Sequence, residues 1–331
     1  MMHPSVIARG AIARLGMRSY PLSLTFEVTW LCNLACRYCD RHTPMRNELK
    51  RDQIFRALAE FYKLGMRYVS IDGGEALTHR HVDEIVQWLV ERRVWVSMHS
   101  NGILVPRKVD TVRKLAKLKI SLDGPRHIHD AMRSDGSFDA ALAGAHAARE
   151  AGVPVEITCT VGRHNFTSLE QLLDIAEPLR IPVVFQPALN SLFRGSKRDG
   201  SEWELDGPSV RSVFAHIETL KRKKRGVGNS WSSLRHFRRF PEWTQPPCAA
   251  GRVFCTMDPE GVLFSCGELD RSDRSNSVVR FGVAGAFANL VRKGCGECWS
   301  ARLVEENYAW GCRIDRMFPP LRTPPLGRQS P

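Results

Sequence analysis

Ser23-Leu24-Thr25-Phe26-Glu27-Val28-Thr29 runs directly into Trp30-Leu31-Cys32-Asn33-Leu34-Ala35-Cys36-Arg37-Tyr38-Cys39-Asp40. The first seven residues read as a short β-strand. The loop behind them holds three cysteines spaced Cys-x3-Cys-x2-Cys, and no further cysteine follows before Cys159. Thiolates bind soft metals and iron–sulfur clusters, and a four-iron cluster takes four ligands. Three close thiolates therefore point to a cluster with one iron left open, where a substrate or cofactor can bind.

Outward from this loop the chain repeats one unit, a short β-rich run followed by an amphipathic helix. Strands are expected at Ser23–Thr29, Tyr68–Asp72, Trp95–His99, Lys119–Leu122, Val155–Val161 and Val183–Gln186. Helices are expected near 51–64, 81–92, 107–117, 138–151 and 168–179, with Gly65 and Gly152 as stops. Such alternation implies α/β architecture with a parallel sheet, because each return needs a crossover. Six units fall short of the eight that close a full barrel, so an open, partial (β/α)6 TIM-like barrel over 22–190 is the economical fold. Residues 1–21 form a basic extension, read as a short surface helix or, more sharply, a weak membrane-surface contact. After residue 190 the pattern breaks. A connecting segment, 191–247, contains one clear helix at Pro208–Lys224. A cysteine-rich region, 248–316, and a proline-rich tail, 317–331, complete the chain.

Composition narrows the setting. The 331 residues are 43% hydrophobic and 25% charged, as in ordinary globular proteins. No apolar run approaches the roughly 20 residues of a membrane-spanning helix, and the start lacks a secretory h-region. Ten cysteines without a secretory signal imply a reducing compartment, the cytoplasm, and metal rather than disulfides. The net charge of +13 is by default solvated surface; an anionic partner is the second reading. Aromatics are not interleaved with the basic runs at Lys221–Arg225 and Arg235–Arg239, so single-stranded nucleic acid is not an expected partner.

In a parallel α/β sheet, ligands gather where the strands end. Those ends read Asp72-Gly73-Gly74-Glu75, Ser100-Asn101-Gly102, Ser121-Leu122-Asp123-Gly124, Arg163-His164-Asn165 and Gln186-Pro187. Singly, each is only a turn or a strand end. Together with the cysteine loop they resemble the radical S-adenosylmethionine (radical SAM) superfamily. Cys32, Cys36 and Cys39 match its signature, with Tyr38 in the aromatic position. Gly73-Gly74-Glu75 resembles its GGE motif, which implies that the backbone and Glu75 hold the SAM amino group; glycines also let a backbone approach a ligand closely. Asn101, Ser121 and Asp123 fall where the family places ribose and carboxylate contacts. His129-Asp130-x-x-Arg133 followed by Gly136-Ser137-Phe138-Asp139 resembles a stretch of the subgroup with C-terminal clusters, which implies that Arg133 meets the SAM carboxylate.

The distal cysteines extend the resemblance. Cys248-x12-Gly261-x4-Cys266, followed by Cys295-Gly296-Glu297-Cys298, is similar to the opening of a SPASM domain, the auxiliary-cluster module of some radical SAM enzymes. The full pattern does not continue, which implies the shorter twitch form, a small α+β domain with one auxiliary [4Fe-4S] cluster on Cys248, Cys266, Cys295 and Cys298. Cys255 and Cys312 are alternates or packed free thiols, and zinc on the four cysteines is the structural alternative. Cys159, on strand 5, reads as core.

The resemblance implies an enzyme that reductively cleaves SAM at a [4Fe-4S] cluster to a 5′-deoxyadenosyl radical. That radical takes a hydrogen atom from a peptide or small-molecule substrate, with a second cluster aiding electron transfer or positioning. An external electron donor such as flavodoxin or ferredoxin is implied. A lipid-linked, nucleotide or sugar substrate is the alternative. A zinc-stabilised, basic nucleic-acid-binding protein is the reading from another class, and it leaves Gly73-Gly74-Glu75 without a purpose. No residue is singled out as a catalytic acid or base.

Overall fold

Along the first strand Leu24, Phe26 and Val28 alternate with Thr25, Glu27 and Thr29, and this alternation organises the molecule. A computed structural model of the chain describes residues 4–14, 16–39, 47–188, 202–242, 248–268, 271–292 and 298–310, the side chains of 4–7 and 14 excepted. Its strands are β1 (Ser23–Thr29), β2 (Tyr68–Gly73), β3 (Trp95–Ser100), β4 (Lys117–Ser121), β5 (Val155–Val161), β6 (Val183–Pro187), β7 (Phe254–Met257) and β8 (Leu263–Phe264). The helices are α1 (Pro4–Arg14), α2 (Arg51–Leu64), α3 (Val82–Glu91), α4 (Val109–Val112), α5 (Arg126–Met132), α6 (Ser137–Glu150), α7 (Leu169–Ala176), α8 (Gly207–Arg222), α9 (Trp231–Phe237), α10 (Val278–Ala288) and α11 (Ala301–Trp310).

The first six strands pair in parallel, in chain order, as expected of a partial barrel. The sheet does not stop there. β7, from the cysteine-rich region, pairs parallel with β1, Ser23 beside Phe254 and Phe26 beside Met257. β8 then turns back antiparallel. Both edges are closed by asparagines. Asn229 accepts from Phe185 N–H and donates to Phe185 C=O, each at 2.8 Å, on β6, while Asn276 donates to Leu263 C=O on β8. Open strand edges invite pairing with other chains; here these amides occupy them together with the main-chain bridges Val183–Val227 and Val262–Ser277.

The apolar face of every strand turns outward onto the helices, where Phe26, Ile71, Met98, Leu118, Ile157 and Phe185 join one core. The inner face is polar. Register places Glu27 beside Asp72, His99 beside Lys119, and Lys119 beside Glu156. Closed barrels fill this space with branched apolar layers. Here α11 lies along the bore instead, its Arg302 donating to Thr25 Oγ1 at 2.6 Å and its Trp310 edge-on to Tyr68. A second, smaller apolar cluster joins Ala13, Leu22, Phe254, Leu303 and Trp310. Through Ala13, fully buried, α1 is packed into that cluster rather than lying loose on the surface.

Two local expectations shift. The helix read over 107–117 is a 3-10 turn, Val105–Lys108, followed by the single turn of α4. Lys117 is already strand, paired with Ser97 on β3 and bonded at 2.9 Å to Glu156 on β5: sheet pairing outweighs helical propensity. α5 was not anticipated. Among the described residues no helix is long and apolar enough to cross a membrane.

Candidate active site at the strand ends

β1 and β2 end together, and their backbones are locked. Gly74 N–H donates to Thr29 C=O at 2.8 Å and Glu75 N–H to Leu31 C=O at 2.9 Å. A Cβ at Gly73 would sit 2.2 Å from Thr29 O, and one at Gly74 2.5 Å from Leu31 O. The two glycines are therefore needed for the approach of the β2 end to the cysteine loop, beyond any approach to a ligand.

Three thiols project from that loop. Leu34 N–H points at Cys32 Sγ, 3.4 Å away, and Arg133 Nη1 lies 3.9 Å from Cys36 Sγ. Burial pushes the Cys32 thiol up to about 11, and the Cys36 thiol upward as well. Metal ligation reverses that preference by displacing the proton, and donors aimed at sulfur favour the thiolate. Among the described residues no three His, Cys, Asp or Glu side chains have the spacing of a single-ion site.

Behind the loop stands a buried carboxylate. Asp123 Oδ2 accepts from Tyr38 Oη at 2.8 Å and from Arg133 Nε at 2.7 Å, while Oδ1 accepts from Thr160 N–H. Burial opposes its charge, but the Arg133 guanidinium and these donors hold the carboxyl below the usual range. Its main chain is fastened too: His129 Nδ1 accepts from Asp123 N–H, and Asn165 Nδ2 donates to Asp123 C=O. Glu75 is treated alike. It accepts from Leu77 N–H, Ser100 Oγ and Asn101 N–H, and burial pushes its carboxyl upward. Asn101 reaches back to Asn33 in the cysteine loop at 2.7 Å.

A cavity of about 660 Å³ opens below this assembly. Its lining brings together Cys32, Cys36, Tyr38, Cys39, Gly73, Gly74, Asn101, Ser121 and Arg133. Glu75 and Asp123, both buried, stand behind that wall. The lower wall is a set the sequence reading missed: Asp72, His99, Lys117, Lys119, Glu156 and Arg302. One signal could have found them. Parallel strands are usually apolar on both faces, yet Ser70/Asp72, Ser97/His99 and Lys117/Lys119 repeat a polar residue at every second position.

The cavity thus stands at the strand ends, with three thiols beside bound main-chain glycines. The family model of the radical SAM superfamily matches residues 26–176, the span that builds this assembly. This span is a radical SAM domain. It is similar to the mycofactocin maturase MftC of Mycobacterium ulcerans, 29% identical over 260 residues that cover 74% of this chain and 68% of that protein. It is also similar to an AdoMet-dependent heme synthase of Methanosarcina barkeri, 26% identical over 282 residues, 77% of this chain and 79% of that one. Among solved structures, anSMEcpe with bound AdoMet and Cp18Cys peptide shares the fold at a TM-score of 0.64 and 15% identity, covering 87% of this radical SAM chain and 83% of that one.

The second cysteine group is partly in view. Cys248, Cys266 and Cys298 all pack against the smaller apolar cluster, and Glu268 N–H points at Cys266 Sγ from 3.4 Å. Cys255 faces the other way, fully buried in the main core, because alternate residues of β7 point to opposite sides. Cys159 is likewise buried there. Cys295 and Cys312 lie outside the described residues.

Proposed function

We propose that this protein is a radical SAM enzyme that modifies a peptide and carries two [4Fe-4S] clusters, one on Cys32, Cys36 and Cys39 and one on Cys248, Cys266, Cys298 and Cys295. The observation that carries the first site is convergence: residues from four strand ends line one cavity with the three thiols. The donor set fits a cluster, being all thiol, with N–H groups aimed at sulfur. Bound there, the cluster with SAM supplies a 5′-deoxyadenosyl radical, the species that takes a hydrogen atom from the substrate. The backbone of Gly73 and Gly74, Asn101, Ser121 and Arg133 face SAM in this reading. Glu75 and Asp123 act as positioning residues, since donors of the protein already engage their oxygens. Arg133 sets a fixed positive charge beside the Cys36 sulfur.

The second group is proposed to accept an electron or position the substrate, with an external donor such as flavodoxin or ferredoxin supplying the first electron. Ten cysteines clustered in metal-type spacings suit the reducing cytoplasm. A peptide is favoured by the cavity wall, where Lys117, Lys119, Arg133 and Arg302 face Asp72, Glu156, Glu268, Glu305 and Glu306. A near-neutral, polar wall suits a polar main chain. The Methanosarcina relative favours a second reading, a haem-type tetrapyrrole; its several carboxylates ask for a cationic surplus that the described residues of this wall lack.

Anaerobic reconstitution with iron and sulfide, then dithionite and SAM, tests the proposal. About eight irons per chain and release of 5′-deoxyadenosine are expected. Cys36→Ala should abolish the nucleoside, whereas Cys298→Ala should keep it and lose about half the iron. Intact clusters without deoxyadenosine sink the proposal; zinc in the second site overturns that half. Loss of a propionate-bearing iron porphyrin from the assay would select the second reading.

A further inference from the structure

Lys119 projects from the inner face of β4, between His99 on β3 and Glu156 on β5. Its neighbours are already paired. Asp72 accepts from His99 Nδ1 at 2.6 Å and from Ser70 Oγ at 2.9 Å. Glu156 accepts from Lys117 at 2.9 Å. Lys119 itself makes no hydrogen bond or ion pair among the described residues, although it lines the cavity. Burial lowers its pKa, with Glu156 opposing and Arg302 adding to the effect. One step higher on the next strand, the buried Thr158 hydroxyl also lacks a partner among the described residues. Arg302 enters the same bore from α11, donating to Thr25.

A partly buried ammonium with no acceptor is costly unless a ligand provides one. A hydroxyl left unsatisfied in the same wall says the same of polarity at that level. We infer that Lys119 is the anchor for one carboxylate of the substrate, seated beneath the cysteine loop with Arg302 facing it across the bore. The inference rests on the peptide reading and narrows it to a peptide that presents an acidic side chain or its C-terminal carboxylate to the bore. Lys119 lies two residues before Ser121, so about 7 Å of strand separates the anchor from the cofactor end. The carbon offered to the radical then belongs to the residue that bears the carboxylate, or to its neighbour. One unpaired cation takes one carboxylate, which is why the same wall suits a peptide better than a tetrapyrrole.

The test is acetylation of the full reconstituted enzyme by a pulse of acetic anhydride, with the rate at each lysine read by peptide mass spectrometry. The probes are N-acetylglutamate and its isosteric amide, N-acetylglutamine, at equal concentration. The carboxylate is expected to slow labelling of Lys119 at least about tenfold, the amide to leave it unchanged, and Lys117 to respond to neither; a charge-assisted hydrogen bond is of that size. Arg302→Gln should weaken the protection. Absent protection, or equal protection by the amide, overturns the anchor. Deoxyadenosine formation by the unaltered enzyme reports separately on the radical reading. Protection without nucleoside spares the anchor and sinks the chemistry, and nucleoside without protection does the reverse.

Discussion

The Tyr38 hydroxyl donates to Asp123 Oδ2 at 2.8 Å, although 85 residues of chain separate the two. The cysteine loop and the end of β4 are thereby one unit, with Arg133 bound to the same oxygen and its guanidinium 5.5 Å from the Tyr38 ring centre. Tyr38→Phe keeps the ring and removes one donor to a buried carboxylate. It should lower the unfolding free energy by about 1–3 kcal/mol in a denaturant titration. An unchanged midpoint would mean that the phenol contributes nothing to the carboxylate.

Gly73→Ala should displace the cysteine loop. Its φ of +145° is joined to a backbone oxygen 2.2 Å from the would-be Cβ, so the chain cannot absorb the methyl without opening the β1–β2 junction. Gly136, at φ +75° with nothing within 4 Å, is the control, and Gly136→Ala should cost only the left-handed backbone term of about 1–2 kcal/mol. Iron bound per chain and melting temperature distinguish the two: Gly73→Ala loses iron and Gly136→Ala does not. Equal iron in both would remove the steric argument.

Arg271 makes a two-pronged ion pair with Glu27, 2.6 and 2.9 Å, and the same carboxylate accepts from Trp30 Nε1. Arg271 also donates to Gly267 C=O, next to Cys266. Both charged side chains are buried, so this pair joins the two cysteine loops. Arg271→Met strands a buried carboxylate and should cost about 3–5 kcal/mol. Adding Glu27→Gln should restore part of that loss. A double variant no more stable than the single one would show that the stranded charge is not the cause.

Acid should weaken the fold through His129, which is 1% exposed and accepts through Nδ1 from Asp123 N–H. Burial pushes its pKa down to about 4, Arg133 adds to this and Asp123 opposes it. The unfolded chain, with a histidine pKa near 6.5, takes up a proton that the native state refuses. Stability from this group is therefore complete above about pH 6.5, and roughly 3 kcal/mol is lost as pH falls through about 4. His129→Asn places an oxygen acceptor near the Nδ1 position and does not titrate. Unfolding free energies from neutral pH to about pH 4.5 should fall less steeply in this variant; parallel slopes would rule His129 out.

How legible the site was differs from residue to residue. Gly73 and Gly74 were readable because close backbone approach restricts residue type, and Cys32, Cys36 and Cys39 stood out because thiols at that short spacing are the pattern metal ligation requires. Glu75 and Asp123 were readable as residues at the strand ends, but the positioning role proposed for them was not: a carboxylate that meets a ligand and one that fastens a loop look alike in a chain of letters. Lys119 and Arg302 were not singled out, since an isolated charge in a strand or helix is most often surface.

The sequence by itself determined the strand–helix alternation, the parallel order of β1 to β6 and the three-thiol loop, because these depend on local periodicity and short spacing. Only the tertiary structure decided that β7 would lie beside β1, that α11 would occupy the bore, and that Tyr38, Asp123 and Arg133 would meet. Such contacts join residues far apart in the chain, and their partners are selected by burial and charge pairing in three dimensions, which no local pattern records.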